Sequence, residues 1–495
     1  MKVLFDTNIL IYLEDFSEIP VDLQELLKIF KKNGVSTYAH PSSMIDIEND
    51  KDEERKKVML SKFNSYPCIE NAPKPDAAFI NFIGTPKSSN DRVDSEILYA
   101  LYRNCVDFLL TEDKEIIKLA SKVKLKDRVF TIESALGYFE NLYEKKYPKH
   151  PQIRKELVYS LDIADHFFDS LKNEYPEFTE WFKKISREQR PCYVYRENGG
   201  IKALLILKVE DGSIETNQGL VPANKRLKIC TFKVERFGLK MGELLLKISF
   251  EFCIKNNIDE AYLTHFTDGE DYLTDLIADF GFRKVGKNKR GEEVYLKKFI
   301  CDDANLTPLQ ISKTYYPSYK DSKGIRKFII PILPKFHDRL FPDYAGRKQS
   351  RITDFGDMTE FSIPGNTIKK AYLSHSPIRK IREGDIVIFY RSQDKQLTAL
   401  GVVENAIATS KIEDIIIAIE KRSVYSMKDL EEMAKKPVLC ILFMHHFYLE
   451  NPINYKNLKK ESIISSGPQS IIEISPEKYT KIKELGGLDE RFIVD

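Results

Sequence analysis

The sequence predicts a multi-domain protein of mixed class, with an α/β parallel-sheet domain, an α+β domain and a small β-barrel domain in that order. Three observations lead there. A chain of 495 residues exceeds what one hydrophobic core organises, and about 150 residues per domain suggests roughly three domains. The pattern of apolar periodicity changes twice along the chain. Both changes fall where Pro, charge and helix breakers gather, at Glu144–Gln152 (EKKYPKHPQ) and Ile300–Leu309 (ICDDANLTPL). Reading these as joints gives domains over 1–145, 153–300 and 359–495, with a basic Pro/aromatic connector over 305–358.

In the first piece, a strand at Val3–Phe5 precedes an apolar-periodic stretch, a short strand near Val35, further helices and a late strand at Phe108–Leu110. This alternation implies a parallel sheet. The second piece opens with helical text through Trp181. Strands follow at Cys192–Tyr195, Ile201–Val209 and Leu227–Val234, then a helix at Gly242–Lys255, a strand at Ala261–His265, another helix, and closing strands near Phe282 and Val294. The third piece is basic and Pro-rich at first. It continues into short strands with turn signals, such as Glu383-Gly384-Asp385 before Ile386–Tyr390.

Composition excludes several classes. With 42% hydrophobic residues the chain is not disordered, and 77 basic against 75 acidic residues make neither a polycation nor an acidic tail protein. Any nucleic-acid surface must therefore be local. None of the seven cysteines shares a C-x-x-C spacing, so a reducing, cytoplasmic setting without a zinc or redox motif is expected. The N-terminal apolar stretch is broken by Asp6 and Asn8, and the later run Val438–Met444 is far shorter than the roughly 18 residues of a membrane span. Neither signal peptide nor membrane anchor is expected.

Asp6 ends the first strand and belongs at the carboxyl edge of the sheet, where ligand sites of open α/β sheets form. Asp94 starts a stretch with apolar residues four apart and reads as the first-turn residue of a buried helix, and Thr111-Glu112-Asp113 terminates Phe108–Leu110. Singly, Asp6 and Asp94 read equally well as helix N-caps and Asp113 as a turn residue. Together they deliver carboxylates to one edge, where repulsion calls for a divalent cation such as Mg²⁺ or Mn²⁺. Strand-Asp-Thr-Asn, Asp on a buried helix and Leu-Leu-Thr-x-Asp resemble the PIN (PilT N-terminus) nuclease family over residues 1 to about 145. The resemblance implies that Asp6, Asp94 and Asp113 are metal-binding catalytic acids, supported by Asn8 and Thr111. It also implies a fourth acid soon after the second strand, for which Asp46 is chosen and Glu48 is the alternative.

Between Val234 and Leu245 a strand runs into a helix through Phe237, Gly238, Leu239, Lys240, Met241, Gly242 and Glu243. Exposed N–H groups at such a helix start hold phosphate. With the antiparallel strands before it and Ala278-Asp279-Phe280-Gly281-Phe282 after it, the segment resembles the GNAT acyl-CoA-dependent N-acetyltransferases over about 155–300. That resemblance implies acetyl-CoA as cofactor on residues 237–243. Phe237 and Lys240 depart from the family's usual residues, Ile277 stands where a tyrosine acid is common, and Glu235 is a candidate base.

Between Ile311 and Arg351 ten cations, Lys323, Arg326 and Lys327 among them, face three acids and are interleaved with Tyr315, Tyr316, Tyr319, Phe328, Phe336 and Phe341. Such a stretch suits phosphate contact and base stacking, or is a solvated face. Further on, Tyr372 through Arg391, the strand Ala399–Glu404 and Ser465-Ser466-Gly467-Pro468 resemble the PUA-like superfamily, including ASCH and EVE domains, over about 360–485. The resemblance implies recognition of RNA or a flipped base by Tyr372, Ser374, His375, Phe389, Tyr390 and Arg391. The bland reading packs Phe389 into the barrel. His445-His446 is no metal pair, because adjacent strand residues point to opposite faces.

The expectation is therefore a metal-dependent endonuclease acting on RNA in preference to DNA, with an acyl-CoA-using or acyl-CoA-sensing middle and a substrate-selecting C-terminal domain. Toxin or defence roles, with an antitoxin or oligomeric partner, are associations of domain type alone. The rivals are an N-acetyltransferase of tRNA or protein with the first domain as scaffold, and a non-catalytic nucleic-acid adaptor.

Overall fold

The computed structural model describes residues 1–14, 19–50, 52–143, 152–197, 199–235, 240–267, 272–303, 305–344, 360–362, 366–419, 422 and 424–495. Contacts gather the chain into two compact units, the first built from Met1–Tyr147 with Thr409–Pro437 and the second from most of the remainder.

The first unit contains β1 (Lys2–Phe5), α1 (Thr7–Glu14), α2 (Val21–Lys32), β2 (Ser36–Ala39), α3 (Ser43–Glu48), α4 (Glu53–Phe63), α5 (Ala77–Ile83), α6 (Ser89–Tyr102), β3 (Phe108–Leu110), α7 (Lys114–Lys122), β4 (Val129–Phe130) and α8 (Ile132–Tyr143). Its sheet has the order β2-β1-β3-β4 and every pairing is parallel. Val3, Leu4 and Phe5 are all buried, as is all of β3. Continuous apolar runs are what a parallel strand covered on both faces requires. Ser88 caps α6 through a capping box with Asp91. The helix thus begins before Asp94, which stands in its second turn rather than its first. The sequence reading placed the start too late because polar Ser89–Arg92 precede the apolar periodicity. Helices at Ile412–Ile419 and Met427–Ala434 complete this unit, the second of them packing on α8.

The second unit carries β5 (Gln152–Leu157), α9 (Asp169–Glu174), α10 (Phe178–Arg187), β6 (Pro191–Glu197), β7 (Gly200–Glu210), β8 (Ile214–Thr216), β9 (Gly219–Val221), β10 (Arg226–Val234), α11 (Met241–Lys255), β11 (Glu260–His265), α12 (Tyr272–Asp279), β12 (Arg283–Lys287) and β13 (Glu293–Lys298). It continues with α13 (Pro308–Thr314), β14 (Tyr319–Lys320), β15 (Lys327–Ile332), α14 (Pro334–Leu340), β16 (Glu360–Ser362), β17 (Lys369–Ser374), β18 (Ile386–Arg391), β19 (Gln396–Thr409), β20 (Val438–Asn454), β21 (Ile472–Ile474) and β22 (Ile493–Val494).

An eight-stranded sheet runs β12-β13-β11-β10-β7-β6-β5-β16, and a six-stranded one runs β17-β20-β19-β18-β15-β21. In the first, β10 pairs antiparallel with β7 but parallel with β11. The structure corrects the connector reading of 305–358. Its Lys327–Ile332 is β15, an inner strand paired with β18 and β21, and Tyr315, Tyr316, Tyr319, Phe328 and Phe341 are buried. These aromatics serve packing, Phe328 on the internal strand and the others in the segments that flank it. Phe336 is half-buried.

A buried polar seam joins the parts of this unit. Lys297 donates to the carbonyl of Thr314 at 2.7 Å, and Ser318 donates to that of Phe299 at 2.6 Å. At Gly281, φ is +81° and an added Cβ would lie 2.0 Å from the Thr314 oxygen. Only glycine fits there. No helix among the described residues is long and apolar enough to cross a membrane.

A candidate carboxylate site and two candidate ligand surfaces

Asp6 leaves β1 as the residue preceding α1, its amide bonded to Leu110 O at 3.0 Å. That bond sets the ends of β1 and β3 side by side. One Asp6 oxygen accepts from Thr111 Oγ1 at 2.6 Å and Asn8 Nδ2 at 2.7 Å, and the other from the Thr7 amide at 2.7 Å. Asn8 and Thr111 thus hold Asp6 in place. Thr7 donates to Asp46 at 3.1 Å, which ties α3 to the same edge. Glu48, at the end of that short helix, is exposed. Asp113 caps α7, accepting from the amides of Glu115 and Ile116, so it is a helix cap and a member of the edge at once.

Burial pushes Asp6 up to about 6 against the lowering pull of its hydrogen bonds, and Asp46 up to about 6 against that of Thr7. Burial, followed by the carboxylates of Asp6, Asp113 and Asp46, pushes Asp94 up to about 8. Four acids from two strand–helix junctions and two helices therefore share one field. Asp46 Oδ1 is buried and has no hydrogen-bond partner among the described residues. Among the described residues no three His, Cys, Asp or Glu side chains stand at the spacing of a direct metal cage. An all-oxygen donor set with an unpartnered carboxylate oxygen suits Mg²⁺, which binds through one or two carboxylates and keeps several waters.

The sequence reading missed the support behind this edge. Ser42 donates to Glu96 on α6, and the Ser42 amide donates to His40 Nδ1 at 3.1 Å. Burial drives His40 down to about 4, against the pull of Glu96. A partner 54 residues away leaves no local signal in the sequence.

Of the expected phosphate loop, Phe237, Gly238 and Leu239 lie outside the described residues. Lys240 has φ +52° at the start of α11 and pairs with Glu243 at 3.8 Å. Buried Glu243 accepts from the Lys369 amide at 2.7 Å, and Met241 is buried. A Cβ at Gly242 would lie 2.6 Å from Leu276 Cδ2, so this glycine also serves the packing of α11 on α12. Glu235 sits between Lys233 at 3.1 Å and Lys202 at 3.7 Å. Ile277 is fully buried.

The nucleic-acid candidates separate by exposure. Lys323 is exposed, Arg326 pairs with Asp385 at 2.9 Å, and Lys327 is buried against Asp321 at 2.8 Å. Arg347, Lys348 and Arg351 lie outside the described residues. Phe389 is wholly buried, with ring centroids 4.9 Å from Phe443 and 5.1 Å from Phe341. Tyr390 and Tyr372 are buried too. A base reaching these three rings would have to displace core. Ser374 is half-buried and His375 exposed, while Arg391 makes a two-pronged contact with Asp338 at 3.0 Å.

No family model matches the chain, and no curated protein does. Solved structures are similar to parts of it. The ASCH protein of Zymomonas mobilis is 14% identical and covers 32% of this chain and 94% of its own, with a TM-score of 0.23. The PaiA N-acetyltransferase of Thermoplasma acidophilum, in complex with coenzyme A, is 14% identical over 29% of this chain and 84% of its own, at 0.21. Naa50 of Arabidopsis thaliana, in complex with a bisubstrate analogue, is 22% identical over 22% and 72%, at 0.17. The structural neighbours thus include ASCH and acetyltransferase proteins, each over a part of the chain. None of these three bears on the PIN resemblance of the first unit.

Proposed function

We propose that the carboxylate edge of the first unit is a phosphodiester hydrolase centre acting on RNA in preference to DNA. The observation that supports it is the convergence of Asp6, Asp46, Asp94 and Asp113, whose burial and mutual repulsion hold Asp94 near 8. These acids would hold Mg²⁺ or Mn²⁺, and the cation, when bound, supplies an activated water and neutralises charge at phosphorus. Thr7, Asn8 and Thr111 orient the acids. Sequencing RNA ends after expression of the wild type and Asp94→Asn tests the reading. New ends are expected with the wild type alone, and identical end profiles overturn it.

A second reading, acyl-CoA-dependent N-acetylation of tRNA or protein, is favoured by a separate observation. In the otherwise antiparallel neighbourhood of β7, strand β10 turns to a parallel partner, β11, and α11 follows its end. Backbone N–H groups freed at such a junction are suited to a pyrophosphate. Calorimetry of acetyl-CoA against the full chain tests it. Binding with acetyl transfer and no cleavage makes this the primary activity, whereas binding without turnover marks a sensor. Nucleic-acid binding with neither reaction makes the protein an adaptor.

A further inference from the structure

Within the second unit, a cleft of about 800 Å³ opens between the C-terminal half of α11, residues of the strands β6 and β7, and the strand β20. This lies within the range of roughly 300–1,000 Å³ usual for small-molecule sites. Its floor is charged and buried. Lys247 reaches Asp343 at 3.1 Å and donates to Asn366, while Tyr448 donates to the other oxygen of Asp343. The His445 ring lies 4.4 Å from that of Tyr448. A buried ion pair gains little stability over an apolar replacement of the same shape. Buried charge at the floor of a cavity is instead characteristic of ligand sites.

The rest of the lining narrows the ligand. The half-buried Tyr193, Phe252 and Phe447 make part of the wall aromatic, and such surfaces take the face of a flat ring. His446 also lines the cleft, with Nδ1 2.8 Å from Pro317 O. A carbonyl only accepts, so Nδ1 carries the proton and Nε2 is left as an acceptor. That Nε2 is buried and has no hydrogen-bond partner among the described residues, and such groups are nearly always satisfied. Lys155, Lys208 and Lys255 line the cleft as well, the last two exposed and Lys208 paired with Glu210 at 2.6 Å, alongside Glu251, Glu450 and Asp489; of these the lysines are the groups suited to phosphate.

We infer that this cleft binds a free nucleotide, with its base against the aromatic wall, a base N–H turned to His446 Nε2 and its phosphate towards the lysines. The site is independent of the hydrolase and acetyl-transfer readings. Calorimetry on the full chain with the four ribonucleoside 5′-monophosphates, the matching nucleosides and ribose 5-phosphate tests it. At least one monophosphate is expected to bind, its nucleoside about tenfold more weakly and ribose 5-phosphate not at all. Tyr448→Phe and Lys255→Gln, each verified as folded by circular dichroism, should each weaken binding several-fold. Absence of heat with every monophosphate overturns the proposal, as does equal binding of ribose 5-phosphate. Binding of single-stranded RNA without any free nucleotide also overturns it, in favour of a polymer groove.

Discussion

At the sheet edge of the first unit, Asp6, Asp46, Asp94 and Asp113 collect charge of one sign, and burial with repulsion raises Asp94 to about 8. In the second unit the buried Lys247 meets Asp343 at 3.1 Å with Asn366 and Tyr448 completing the network. One arrangement stores electrostatic free energy that a cation or a proton releases. The other has already released it internally. Removing a charge should therefore relieve the first region and damage the second, a contrast that single substitutions test directly.

The largest expected effect is on the satisfied network. Asp343→Ala leaves buried Lys247 only its longer contact with Glu251 at 3.8 Å, and urea unfolding of the full chain should show a loss of about 3 kcal/mol in the transition of the second unit. Asp343→Ala combined with Lys247→Met should recover much of it; no recovery would mean that the two residues act separately.

Asp94→Asn comes next, with opposite signs for stability and activity. It should lower cleavage of an RNA oligonucleotide in Mn²⁺ by about 10²–10³-fold while leaving the first unit as stable as before or more so. A variant that cleaves as fast as the wild type breaks the comparison.

Proton linkage gives a smaller, graded effect. Asp94 is raised from the ordinary carboxylate range to about 8, so the folded state binds more protons than the unfolded one in between. Stability is full below that ordinary range and is lost as pH rises through 8. Between pH 6.5 and 8 the thermal midpoint of the first unit should fall with rising pH. Asp94→Asn should flatten the slope, and saturating Mn²⁺ should do the same by holding the carboxylates ionised. Below pH 6.5 the buried imidazole of His40, depressed to about 4, opposes this trend, because it must remain neutral in the fold.

The smallest effect separates two cations of the basic stretch. Lys323→Gln, at an exposed position, should reduce the salt slope of RNA binding by about one and leave stability unchanged. Lys327→Gln, beside Asp321, should lower stability and change the salt slope little. Equal slopes for the two variants would show that burial does not sort these charges.

Much of this layout was legible in the sequence, for reasons visible at particular residues. Strand β1 ends at Asp6 because Val3–Phe5 is a short apolar run, and β3 precedes Asp113 for the same reason. The parallel sheet followed from that alternation, and α11 from its periodicity. Other features depended on distant partners. Asp46 joins the edge and Glu48 does not because Thr7, 39 residues away, donates to Asp46. Gly242 resembled part of a phosphate loop, yet the side chain it admits is Leu276 on another helix.

Periodicity, capping and strand length act over a few residues, so β1, β3, α11 and the acids at the strand ends were already written in the local sequence. Tertiary structure alone decided that Lys327 turns inward to Asp321, that Phe389 and Tyr390 are core, and that Lys247 finds Asp343. Burial and charge pairing are properties of surfaces brought together from distant parts of the chain, and they exist only once those surfaces have met.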